Sequence, residues 1–150
     1  MTTRANIDDF LKQRTIAVVG ASRNKRKFGN TLFRELKAKG YTAIPVNPNS
    51  ESIEGERCYP SLKSLPVKVD GVAVVVPPHE AERIVRDAVD AGIPRIWLQQ
   101  GAESKEAITF CEKHGVSVIH GECMLMYAPP PAFPHRAHRF FRTLLGRMPH

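Results

Sequence analysis

Short, nearly continuous apolar runs alternate along this chain with segments of helical period, and that alternation restricts the fold more than any other feature. Thr15-Ile-Ala-Val-Val19 is a run of the kind buried on both faces of a parallel sheet. Asn6 to Gln13 before it puts Ile7, Phe10 and Leu11 on one helical face, and Asn30 to Lys39 after it does the same with Leu32, Phe33 and Leu36. Gly40 follows where a helix favours a terminal glycine. A second strand is expected over Thr42–Val46. Its Pro45 cannot donate to a ladder and so belongs near a sheet edge, with at most a short strand over Glu56–Cys58 outside it. Ser61 caps a turn or two ending at Leu65. Strands at Gly71–Val76, Pro94–Leu98 and Val116–Ile119 then alternate with helices at His79–Ala91 and from Ser104 to His114.

This rhythm predicts an α/β fold: a doubly wound, Rossmann-like parallel sheet of five main strands plus a short edge strand, with helices on both faces. The 150 residues fit one domain, and a chain of this size buries about 68–70% of its unfolded surface. At 42% apolar and 25% charged, the composition excludes wholesale disorder. The longest apolar run, Val72–Val76, is too short to span a membrane. The leading residues are polar where a secretory leader is apolar, and the three cysteines lack disulfide-framework or zinc spacing, so a reduced, cytoplasmic compartment is expected. The division expected is residues 1–128 as the binding domain and 129–150 as tail. Ala128-Pro-Pro-Pro131 and Pro134 form a stiff linker, and His135–Met148 reads as a basic amphipathic helix.

Ligands of open α/β sheets bind outside the carboxyl ends of the strands, near the point where strand order reverses. The loop after the first strand, Gly20 to Gly29, is the most informative of these ends. Gly20 permits a tight turn and close ligand approach, and Gly29 opens a helix whose N-terminal N–H groups attract phosphate. Between them lie Arg23, Lys25, Arg26 and Lys27, a density of cations suited to a multiply charged phosphate. The loop lacks G-x-G-x-x-G, and the second strand ends in Asn47-Pro48-Asn49 rather than a ribose-binding carboxylate, which disfavours NAD. Phe28-Gly29-Asn30 is not the ending of a P-loop either.

Six segments in order carry a resemblance: Thr15–Ser22, Gly40–Pro48, Tyr59–Pro66, Val72–Pro78, Ile96–Gly101 and Cys123 after the last strand. Together the chain resembles the CoA-binding domain proteins, small stand-alone relatives of the N-terminal domain of succinyl-CoA synthetase alpha subunits. The resemblance implies CoA or acyl-CoA lying across the strand ends. Gly20, Ala21 and Ser22 would line the phosphate or pantetheine path. The family's basic residue maps onto Arg23, Lys25 or Lys27. Val46, Asn47 and Pro48 would flank the adenosine end, Pro77 and Pro78 the next wall, and Gln99, Gln100 and Gly101 the pantetheine side. Cys123 matches a frequent family cysteine. A cationic loop also suits the 3′-phosphate and pyrophosphate of CoA. The family's phosphohistidine machinery is absent from this sequence.

No catalytic centre is expected. Ser22 has no neighbouring base, and the six histidines form no triad. His79 and His120 read either as ligand contacts or as ordinary surface residues. Cys123 reads either as a small buried side chain or as a thiol able to form a mixed disulfide with CoA. The expected function is CoA binding in a sensing, carrying or regulatory role. One alternative is the CoA-binding subunit of a split acyl-CoA synthetase. The other is nucleic-acid binding through the tail, although the chain lacks the aromatic platform of single-strand binders. The apolar stripe of residues 135–148 points instead to docking on the domain, a second copy or a protein partner.

Overall fold

The computed structural model describes residues 2–127. The expected tail helix at 135–148 lies outside the described residues. Among the described residues, eleven helices and strands run in the order α1 (Arg4–Leu11), β1 (Thr15–Val19), α2 (Phe28–Ala38), β2 (Thr42–Val46), β3 (Ser52–Ile53), β4 (Glu56–Arg57), β5 (Gly71–Val74), α3 (Pro78–Asp90), β6 (Arg95–Gln99), α4 (Lys105–Lys113) and β7 (Ser117–Glu122). A 3₁₀ turn at Leu62–Ser64 carries the capping box begun by Ser61. A second 3₁₀ turn, Met124–Met126, follows β7.

The five main strands are all parallel, in the order β2-β1-β5-β6-β7. Side chains alternate strictly between the two faces. Ile16, Val18, Ala73, Trp97 and Ile119 face α1 and α2 with Phe10, Leu32, Phe33 and Leu36. Ala17, Val19, Val72, Val74, Ile96 and Leu98 face α3 and α4 with Ile84, Val85, Ala88 and Cys111. Each fully buried aliphatic or aromatic side chain contributes roughly 1.5–3 kcal/mol relative to exposure. Trp97 takes an edge contact from Phe10 at 5.4 Å between ring centroids and donates its Nε1–H to the Glu122 carbonyl at 3.0 Å. Its polar atom is thereby satisfied inside the core.

Both edges have distinctive chemistry. At β2 the outward carbonyl of Pro45 accepts from Tyr59 N–H at 3.1 Å, and Asn47 N–H donates to the Tyr59 carbonyl at 2.9 Å. The missing proline N–H therefore points away from β1, where no ladder bond is lost. The short strand expected outside β2 pairs differently: Glu56–Arg57 forms a two-stranded antiparallel hairpin with Ser52–Ile53, and Tyr59 alone bridges to Val46. At the opposite edge, Thr2 Oγ1 accepts from His120 N–H at 2.9 Å and donates to the His120 carbonyl at 3.2 Å. β7 runs on to Glu122, beyond the expected end at Ile119. It does so through a bulge at Gly121, whose φ of 77° suits glycine. No helix among the described residues is long and apolar enough to cross a membrane.

Candidate functional site at the strand carboxyl ends

From β1 the chain moves outward to β2 and then returns past β1 to β5, so the strand order reverses beside the carboxyl end of β1. Two glycines shape that point. Gly20 has φ +130°, and a Cβ there would lie 2.1 Å from the Val75 carbonyl oxygen. A Cβ on Gly29 would lie 2.4 Å from the Gly20 carbonyl oxygen. The N-terminus of α2 thus rests directly on the backbone leaving β1, a contact open only to residues without side chains.

The loop between them is stitched by short polar bonds. Asn24 N–H donates to Ser22 Oγ at 3.0 Å, and Arg26 N–H donates to Asn24 Oδ1 at 3.1 Å. Asn30 is fully buried. Its Oδ1 accepts from Ser22 N–H at 2.8 Å, while its Nδ2 donates to the Ser22 carbonyl at 2.7 Å and to Glu54 Oε2 at 2.9 Å. From the β2 side, Asn47 Nδ2 donates to the Ala21 carbonyl at 3.0 Å, and Asn47 Oδ1 accepts from Asn49 N–H at 2.8 Å. Two asparagine side chains therefore fix consecutive peptides of the loop.

Beside this loop lies a cleft of about 330 Å³. Its floor and near wall are Gly20, Ser22, Lys27, Val46, Asn47 and Pro48. Val75, Val76 and Pro77 continue it, and one row of α3 closes it with Glu80, Arg83, Ile84 and Asp87. Pro48, Asn49 and Pro60 are shared with a broader depression of about 1040 Å³ that carries Arg23 and Arg57. Cations thus stand on three sides: Lys27 at the start of α2, Arg83 on α3, and Arg23 with Arg57 in the depression. Arg83 is only loosely engaged, 3.5 Å from Glu80 Oε1. Hydrogen bonding from Asn30, with Arg34 beside it, holds the Glu54 carboxyl below the ordinary carboxylate range despite its burial.

Of the residues expected from sequence, Gly20, Ser22, Lys27, Val46, Asn47, Pro48 and Pro77 meet in the cleft, and Arg23 in the adjoining depression. Ala21 is buried, and Gly29 packs beneath the loop. Lys25 is exposed, and its carbonyl takes a long 3.4 Å bond from Arg34. Pro78 opens α3 beside Pro77 without lining the cleft. Gln99, Gln100, Gly101 and Cys123 form a second group, around the ends of β6 and β7. There Gln99 is buried and its Oε1 accepts from Met124 N–H at 3.0 Å. Gln100 and Gly101 are exposed in a turn, and Cys123 is half-buried. Glu103 joins the two strand ends, accepting from Gly101 N–H at 2.9 Å and from Gly121 N–H at 3.0 Å. His79 is exposed on α3, and among the described residues no three His, Cys, Asp or Glu side chains converge on a metal-sized site.

Sequence reasoning passed over Glu54 and Arg83. Arg83 left a readable trace, because Glu80, Arg83, Ile84 and Asp87 recur at the spacing of one helix face. Glu54 left none: its partner Asn30 is 24 residues away.

An open parallel sheet with a glycine-apposed, cation-rimmed cleft at its switch point defines a nucleotide-type ligand-binding domain. The CoA binding domain family matches residues 14–129, and the chain belongs to that family. It is 30% identical over 129 residues to the alpha subunit of an ADP-forming acetate–CoA ligase II of Pyrococcus furiosus, covering 79% of this chain and 28% of that subunit. It is 28% identical over 123 residues to the Bacillus subtilis protein YneT, covering 81% of this chain and 91% of that one. A conserved hypothetical protein from Pyrococcus furiosus superposes with a TM-score of 0.71 at 46% identity, covering 74% and 96% of the two chains. The chain spans less than a third of the length of the curated ligases with which its similarity begins.

The residues present fit a CoA-type group. Gly20 lines the cleft with backbone alone, and a Cβ on it or on Gly29 would strike the neighbouring backbone that shapes the loop. Asparagines rather than a carboxylate stand at the end of β2, and cationic side chains flank the cleft.

Proposed function

We propose that this protein binds CoA or acyl-CoA across the carboxyl ends of β1, β2 and β5, in a sensing, carrying or regulatory role. The observation that carries this reading is the cleft at the switch point: glycine backbone on its floor, Lys27 and Arg83 on facing walls, and no carboxylate at the end of β2. When bound, CoA would supply a thiol, free or acylated. The chain's part is to hold its phosphates by charge and its nucleotide by shape, with Lys27 and Arg23 as the phosphate partners and Val46–Pro48 against the adenosine. Gln99, Gln100, Gly101 and Cys123 would face the pantetheine end. Isothermal titration with CoA, dephospho-CoA and NAD tests this. CoA is expected to bind at submillimolar concentration, and dephospho-CoA more weakly because a phosphate–cation contact is lost. Tight NAD binding with no CoA binding would refute it.

The similarity to a ligase alpha subunit favours a second reading, a CoA-binding subunit that completes an acyl-CoA synthetase with a separate partner. It predicts co-purification with a chain bearing an ATP-grasp domain, and CoA ligation that needs both chains.

A further inference from the structure

Glu54 occupies a costly conformation. It is the one non-glycine among the described residues with positive φ, at 52°, and Gly55 follows at 78°. A pair of left-handed residues is the turn that a two-residue β-hairpin requires, and Asn or Asp fills the first place more readily than Glu. A strained residue persists when its side chain does something the surroundings need. Here the Glu54 side chain leaves the β3–β4 hairpin and reaches α2, where Oε2 accepts from Asn30 Nδ2 at 2.9 Å and from Arg34 Nη1 at 2.6 Å. The carboxyl is largely buried, with 12% of its side chain exposed. Asn30 in turn holds both backbone polar groups of Ser22, the N–H of one peptide and the carbonyl of the next. A two-bond relay therefore runs from the hairpin turn to the floor of the cleft.

The relay also fixes the orientation of Asn30. An amide that offers Oδ1 to Ser22 N–H and Nδ2 to the Ser22 carbonyl can be held by those two bonds alone. The third bond, to Glu54, uses the remaining Nδ2 hydrogen and adds to the cost of the flipped amide, which would aim an oxygen at a carboxylate as well as at the Ser22 carbonyl. Arg34 keeps that carboxylate in place and also touches the loop at the Lys25 carbonyl.

We propose that Glu54 is a positioning residue for the ligand loop, acting through Asn30 to hold the Ser22 backbone in its CoA-binding orientation. This rests on the CoA-binding reading above. Ser22 lines the cleft, so a rotated Ser22 peptide would present its oxygen where phosphate approaches.

Glu54→Gly separates position from stability, because glycine suits the positive φ and deletes only the side chain. The variant is expected to melt within a few degrees of wild type, to bind CoA about five- to tenfold more weakly, and to exchange its Ser22 amide hydrogen about tenfold faster without ligand. Glu54→Gln keeps an acceptor for Asn30 and is expected to recover affinity and exchange to within about twofold. Wild-type affinity and wild-type Ser22 exchange in Glu54→Gly would overturn the proposal. So would equal losses in the glycine and glutamine variants. If wild-type protein ignores CoA, the binding reading fails, and the exchange rate of Ser22 in unliganded protein still decides whether the relay exists.

Discussion

Gly29→Ala puts the apposition of α2 and β1 to a test in which two effects oppose each other. Alanine is the better helix former, by about 1 kcal/mol in a helix interior. At Gly29 a Cβ would stand 2.4 Å from the Gly20 carbonyl oxygen, 2.5 Å from its carbonyl carbon and 2.8 Å from Ala21 N. All three are backbone atoms, and real Cβ contacts essentially never fall below 3.0 Å, so α2 or the loop must move by at least 0.6 Å. Neither moves freely. Leu32, Phe33 and Leu36 anchor α2 in the core with no exposed surface, and Asn30 and Asn47 pin the loop. Overpacking of this kind costs about 1–3 kcal/mol, more than the propensity gain. A net loss of up to about 2 kcal/mol is expected, or up to about 8 °C in melting temperature for a domain of this size. CoA affinity should fall as well, because the displaced peptide forms the cleft floor. Urea unfolding followed by circular dichroism gives the stability, and calorimetric titration gives the affinity. A Gly29→Ala protein about 1 kcal/mol more stable than wild type would refute the reasoning, since propensity would then have prevailed over contact.

Tyr41 donates its hydroxyl to the Leu11 carbonyl, and burial pushes the phenol up from 10.0 to about 12. The fold favours the neutral form, so this contribution is complete below pH 10 and disappears between pH 10 and 12. The advantage of wild type over Tyr41→Phe, about 1 kcal/mol at pH 7, should shrink across that window in unfolding titrations. A pH-independent difference would contradict it. Among the thiols, Cys111 is fully buried and pushed up to about 12, Cys58 is buried and also raised, and Cys123 is half-buried. Under native conditions a thiol reagent should label Cys123 first and reach Cys111 only on unfolding. Equal labelling rates for Cys111 and Cys123 would show that the α3–α4 face opens.

The parallel sheet was legible because its strands are buried on both faces and so read as unbroken apolar runs. Pro45 announced the edge for a reason the structure repeats, the absence of a donor. Gly20 and Gly29 were visible as glycines at the right places, yet the cause of Gly29 is a contact with another peptide, which no local pattern encodes. The end of β7 lies beyond the expected Ile119 because Gly121 lets the strand bulge and continue. The grouping of site residues was the least legible part. All lie after strands, but the ends of β6 and β7 are separated from the cleft by their place in the strand order, and that order is a tertiary fact.

The chemistry at the two sheet margins bears on how this chain meets copies of itself. An open strand edge is a template on which another chain can add, and proteins that persist at high concentration blunt it. Here one margin offers Pro45, with no donor to give and its carbonyl already taken by Tyr59. The other offers His120, both of whose backbone groups are occupied by the Thr2 hydroxyl. Strand addition is thereby obstructed at both ends of the sheet. Association through helix faces and side chains is left as the less hindered route, and a Thr2→Val change should raise the tendency to aggregate through the β7 margin.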